Sequence, residues 1–60
     1  MASQFEIYKD DAGKHRWRLR DGNNQITASS GEAFASKANA ERAAENVKAD
    51  APGAPIVDKT

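Results

Sequence analysis

Three arginines, Arg16, Arg18 and Arg20, recur at every second position of the chain, separated by Trp17 and Leu19. Guanidinium groups at that spacing offer one chemistry above others: several fixed positive charges on one face of a strand, able to hold phosphates or carboxylates. A period of two belongs to a half-buried β-strand, whose successive side chains point to opposite faces. Trp17 and Leu19 then face a core while the arginines face away from it. Tyr8 joins the arginine side through a preceding strand. An arginine–aromatic face of this kind can bind phosphate groups or single-stranded nucleic acid. The competing reading is a solvated face of cross-strand pairs such as Glu6 with Arg18. That reading is preferred, because the nine basic residues are matched by nine acidic ones and stacking platforms usually carry two or three aromatics.

Other chemistry-bearing residues are sparse. His15 has no neighbouring nucleophile or orienting group that would make it a general base, so it reads as a surface histidine. Ser29-Ser30-Gly31-Glu32 lacks the glycine-rich pattern and Lys-Ser/Thr pair of a nucleotide loop and reads as a strand end. Asp10 and Asp11 are too few oxygen donors for a divalent cation and read as turn starters. The chain has no cysteine, which excludes disulfides and thiolate zinc sites. No catalytic residue, cofactor site or metal site is expected, and no enzymatic activity.

The elements that position these residues follow from patterning. Phe5 and Ile7 alternate with Gln4, Glu6 and Tyr8, predicting a strand over about 3–9. Asp10 to Lys14 is a turn, and the arginine strand occupies about 15–21. Keeping the apolar groups on one face sets Phe5 opposite Leu19 and Ile7 opposite Trp17, with Tyr8 opposite Arg16, Glu6 opposite Arg18 and Gln4 opposite Arg20. A third strand is expected over about 25–30, with Ile26 and Ala28 inward, Ile26 facing Leu19, and Gly22-Asn23 as a two-residue turn. Gly31 to Ala35 leaves the sheet. Ser36 is a good N-cap for a helix over about 37–49, whose apolar face is Ala40, Ala43, Ala44 and Val47. Pro52 ends that helix. Ile56 and Val57, after two prolines, fit either a short edge strand over about 55–58 or a disordered tail, and composition favours neither.

Sixty residues form a single domain, 1–60, which buries only about 60% of the surface its unfolded chain exposes. An alanine-rich helix face adds little, because a buried methyl is worth about 0.8 kcal/mol against roughly 1.5–3 for a large aliphatic side chain. Without disulfide or metal, oligomerisation is the support that remains. The zero formal net charge argues against a general nucleic-acid or membrane binder. Met1-Ala2-Ser3-Gln4 carries no basic and apolar signal pattern, and no apolar run approaches the roughly 20 residues of a membrane span. A cytoplasmic location is expected.

The blocks Phe5-Glu6-Ile7-Tyr8-Lys9-Asp10, Gly13, Arg16-Trp17-Arg18-Leu19, Ile26 to Glu32, Ser36-Lys37, Val47-Lys48 and Ala51-Pro52 resemble the YegP-like family of small uncharacterised proteins. The resemblance implies an α+β fold, a β-β-β-α-β unit: an antiparallel meander with one helix packed on one face. It further implies that two such units form one continuous sheet with exchanged C-terminal strands. A chain with a single unit is then a homodimer whose partner is itself, with Ile56 and Val57 in the exchanged strand. The resemblance implies no function. The expected function is a small binding or interaction module acting as a homodimer, without catalysis. The alternative is nucleic-acid or phosphate-ligand binding through Tyr8, Arg16, Arg18 and Arg20.

Overall fold

A computed structural model describes residues 2–60. Three strands, β1 (Gln4–Lys9), β2 (His15–Arg20) and β3 (Ile26–Ser29), form an antiparallel sheet in the order β1-β2-β3. One helix, α1 (Lys37–Asp50), packs across one face, followed by a single 3-10 turn over Ala51–Gly53. The fold is α+β.

The arginine strand lies in the centre. β1 pairs with it in the register that keeps one face apolar: Phe5 with Leu19, Ile7 with Trp17, Glu6 with Arg18 and Tyr8 with Arg16. Shifting the pairing by one residue would expose Trp17, so burial itself fixes the register. Trp17 is 7% exposed and forms the core with Ala40 and Ala44 of α1. Phe5 meets it edge-to-face, with ring centroids 5.7 Å apart, a favoured geometry for the aromatic quadrupoles.

Both hairpins use the same turn. In the first, Asp10 Oδ1 accepts from the backbone N–H groups of Ala12 and Lys14. In the second, Asp21 Oδ1 accepts in the same way from Asn23 and Gln25. The backbone bonds match too: Gly13 N–H donates to the Asp10 carbonyl and Asn24 N–H to that of Asp21. The fourth residue takes a left-handed conformation in each, Gly13 at φ 80° and Asn24 at φ 69°, a region glycine and asparagine enter at least cost.

The second turn corrects the expected β2–β3 pairing. The loop closes between Asp21 and Gln25, not around a two-residue Gly22-Asn23 turn. Ile26 therefore lands opposite Arg20, and a bulge between Leu19 and Arg20 lets Ala28 pair with Leu19. Cross-strand partners share a face, so Ile26 belongs to the arginine side, where it is 53% exposed. Only Ala28 serves the inner face. The Asx turn holds one more residue, Asn24, than the two-residue alternative, and the bulge returns Ala28 to the inner face opposite Leu19.

The segment after β3 does not simply leave the sheet. Ser30 is buried; its N–H donates to the Trp17 carbonyl, and its Oγ accepts from the Trp17 N–H at 3.3 Å. Phe34 then exchanges both backbone bonds with His15. These contacts complete the ladder on the second side of β2 where β3 is too short to do so.

Ser36 caps α1, its Oγ accepting from the Asn39 N–H at 3.1 Å. Ala40 and Ala44 are buried, and Ala43 and Val47 are half-buried beside them. Residues 54–60 belong to no helix or strand of the single chain and are exposed throughout.

Candidate functional site

β2 places the guanidinium groups of Arg16, Arg18 and Arg20 in a row on the sheet face opposite α1. Each is held by a carboxylate. Asp10 Oδ2 accepts from Arg16 Nε at 2.8 Å. Glu6 Oε1 accepts from Arg18 Nε at 2.7 Å and from Arg20 Nε at 3.1 Å, while its Oε2 accepts from Gln4 Nε2. Arg20 also donates from Nη1 to the Asn24 carbonyl. Tyr8 lies opposite Arg16 in the ladder, but its ring stacks diagonally under the Arg18 guanidinium, 4.6 Å from the centroid, a favourable cation–π contact.

The electrostatics follow. Hydrogen bonds from Arg18, then Gln4 and Arg20, hold the Glu6 carboxyl at about 2, against an ordinary value of 4.5. The Arg16 side chain, followed by the Lys14 backbone N–H, lowers Asp10 as well, and Asp10 in turn raises Arg16. Two carboxylates thus neutralise most of the charge of three guanidinium groups, and they do so at their Nε edges.

The face brings together the four residues expected on it: Tyr8, Arg16, Arg18 and Arg20. Sequence reasoning anticipated the Glu6–Arg18 pair and missed two partners. Asp10 reads as a turn residue, and it is one, but its second oxygen clamps Arg16. Glu6 also reaches Arg20, diagonally along β2. The available signal was the hairpin itself, which returns Arg16 beside Asp10. His15 is half-buried, and its backbone, not its imidazole, makes the contact with Phe34. Ser30 serves the strand ladder. Among the described residues, no group of three or more His, Cys, Asp and Glu side chains could hold a metal ion, and no helix is long and apolar enough to cross a membrane.

A second feature was not foreseen. An open groove of about 500 Å³ runs between β1 and α1. Phe5, Ile7 and Leu19 of the sheet and Ala44 of the helix form its walls, with Glu45 and Lys48 at the rim. It exists because α1 lies mainly over β2 and scarcely covers β1, and because an alanine methyl is too short to fill the gap. The signal was the small helix face set against two large side chains on β1. Beyond α1, Ile56 is 100% exposed and Val57 64% exposed.

The fold and the site define a small α+β protein with a paired polar sheet face and an uncovered apolar groove. Residues 10–58 match the model of a domain of unknown function, DUF1508. A UPF0339 protein of Treponema denticola is 47% identical over 58 residues, covering 97% of this chain and 98% of its own. A UPF0339 protein of Agrobacterium fabrum is 44% identical over 57 residues, covering 95% of this chain and 90% of its own. An NMR solution structure of a protein from Haloferax volcanii superposes with a TM-score of 0.88 at 44% identity, covering 95% of both chains. The chain belongs to the YegP-like UPF0339 family of small uncharacterised proteins. That family carries no assigned catalytic activity.

Proposed function

We propose that the protein is a non-catalytic interaction module that works as a homodimer, its copies joined by exchange of their C-terminal segments, and that it acts in the cytoplasm. The observation carrying this reading is the exposure of Ile56 and Val57, two adjacent β-branched residues on a segment with no place in its own chain's fold. Exposing them in isolation gains nothing, and burying such side chains is worth roughly 1.5–3 kcal/mol each. The small core supports the same reading: a short chain with three buried apolar residues among those described benefits from a partner's surface. The test is removal of Ile56 to Thr60 with the molar mass followed by light scattering. The truncated chain is expected at half the native mass; an unchanged dimer contradicts exchange of this segment.

One observation favours a second reading. The guanidinium groups of Arg16, Arg18 and Arg20 stand in a row on one sheet face beside Tyr8, an arrangement that would take phosphate groups of a ligand or a single-stranded nucleic acid. The ion pairs at Glu6 and Asp10 make it the weaker of the two. Fluorescence anisotropy with single-stranded DNA at low salt decides it. Binding lost on changing all three arginines to glutamine supports this reading, and absence of binding by the native protein removes it.

A further inference from the structure

The two hairpin turns match in their hydrogen bonds and differ in their chemistry. Asp10 and Asp21 each give one oxygen, Oδ1, to two backbone N–H groups. The second oxygen has a different fate. Asp10 Oδ2 is held by Arg16 Nε at 2.8 Å, which lowers the pKa of its carboxyl and keeps it ionised. Among the described residues no donor reaches Asp21 Oδ2; the neighbouring Arg20 is turned instead to Glu6 and to the Asn24 carbonyl. The following residue differs too: Asp11 in the first turn, Gly22 in the second. The backbone does not require that glycine. The left-handed position of the turn belongs to Asn24, and Asp11 fills the equivalent place in the first turn. A glycine nitrogen is, however, the least shielded that a main chain contains, because no Cβ stands beside it. Gly22 N–H donates no hydrogen bond among the described residues. An open cleft of about 380 Å³, lined by Gln4, Arg20, Asp21 and Gly22 among others, admits water to the pair.

We propose that Asp21-Gly22 is a self-modifying site, at which the turn converts Asp21 to isoaspartate with water as the only other reactant. The Gly22 nitrogen attacks Cγ of the protonated, uncharged Asp21 carboxyl. The N–Cγ bond forms, the nitrogen gives up its proton, and Oδ2 departs as water, leaving a cyclic succinimide. Negative charge gathers on Oδ1 as the bond forms, and the N–H groups of Asn23 and Gln25 already point there. Donors set in advance at a developing oxyanion lower the barrier. Water then adds to the former main-chain carbonyl carbon of Asp21 and breaks its bond to nitrogen. The chain now runs through Cγ, and the α-carboxylate is free. One water leaves and one returns, so mass and oxidation state are unchanged. In the first turn the same step is blocked. Arg16 holds the oxygen that must leave, hydrogen bonding to the charged form keeps it charged, and the Asp11 side chain shields the nitrogen. The consequence is local, in an exposed loop that opens at little cost to the core. Isoaspartate lengthens the main chain by a methylene and withdraws the acceptor of Asn23 and Gln25. The turn that places Ile26 on the arginine side is lost, while β1 and β2 keep theirs.

The test is ageing of the folded chain at neutral pH, below its unfolding midpoint, followed by peptide mapping. Isoaspartate is read as a peptide of unchanged mass, shifted retention and resistance to an endoprotease that cuts before aspartate. Expected is steady accumulation at Asp21, none at Asp10, and loss of the signal in Gly22→Ala, whose fold is checked by circular dichroism. No isoaspartate at Asp21, or as much in Gly22→Ala as in the native chain, overturns the proposal. Asp11→Gly separates the fold from the sequence, because both turns then carry the same Asp-Gly pair. In the folded variant Asp21 is expected to convert severalfold faster than Asp10, and in urea the two are expected to convert alike. Equal conversion in the folded variant, or a difference that survives in urea, contradicts the roles given to Arg16 and the turn amides and overturns the proposal.

Discussion

The arginine face and the C-terminal segment with its uncovered groove are opposite cases of the same question: where does each group find its partner? On the arginine face the chain answers for itself. Glu6 and Asp10 take the three Nε donors, Tyr8 takes the Arg18 plane, and Asn24 takes an Arg20 Nη. At the other site the groups are apolar and the chain supplies nothing: Ile56 and Val57 stand in solvent, and Phe5 and Ile7 line an open groove. The conspicuous charges are the more satisfied region, and the inconspicuous aliphatics the less satisfied one. Binding is better sought where surface is left without a partner than where charge is dense.

The strongest way to break this contrast is to remove the core that separates the two regions. Trp17→Ala is expected to lower stability by about 3–5 kcal/mol, read as a fall in the denaturant midpoint; an unchanged midpoint means that β2 does not divide the molecule as described. Ser30→Ala comes next. It leaves the buried Trp17 N–H without its side-chain acceptor, a loss of about 1–3 kcal/mol on the same scale. Gly13→Ala forces a side chain into the left-handed region at φ 80° and is expected to cost about 1–2 kcal/mol. Asn24→Gly in the twin turn is expected to change stability by only a few tenths in kcal/mol.

The smallest effect sharpens the arginine side of the comparison. The folded Glu6 carboxyl sits at about 2 instead of 4.5. A carboxyl depressed by folding contributes stability above its ordinary value, and that contribution fades as pH falls from 4.5 toward 2. Glu6→Gln is therefore expected to flatten the acid side of a plot of unfolding midpoint against pH, while leaving the assembly state unchanged. A variant with the native acid profile means that the Glu6 pairs contribute nothing.

Much of the fold was legible because it rests on alternation and burial. Trp17 has one acceptable face, and that choice alone orders Phe5, Ile7 and Leu19. The helix was legible through Ser36 and the alanine spacing. The β3 register was not, because Asp21-Gly22-Asn23-Asn24 permits two turns with glycine or asparagine in left-handed positions. The choice between them depends on the Asp21 side chain accepting two backbone N–H groups, as Asp10 does in the first turn. Ile26 followed the turn to the other face. Ser30 and Phe34 returning to β2 were also hidden, since they act through backbone bonds that residue type does not announce. The four residues of the arginine face were legible from their period. Asp10 as a clamp was not, because one carboxylate serves turn and guanidinium at once. The groove was hidden because it is a deficit: it arises from what alanine fails to fill.

Sedimentation equilibrium of the native chain and of Ile56→Asp, over a wide dilution range, tests the central claim most directly. The account predicts twice the chain's 6.5 kDa for the native protein and a single chain's mass for the variant. A native protein that sediments as one chain at every concentration, or an Ile56→Asp variant that sediments as two, contradicts it.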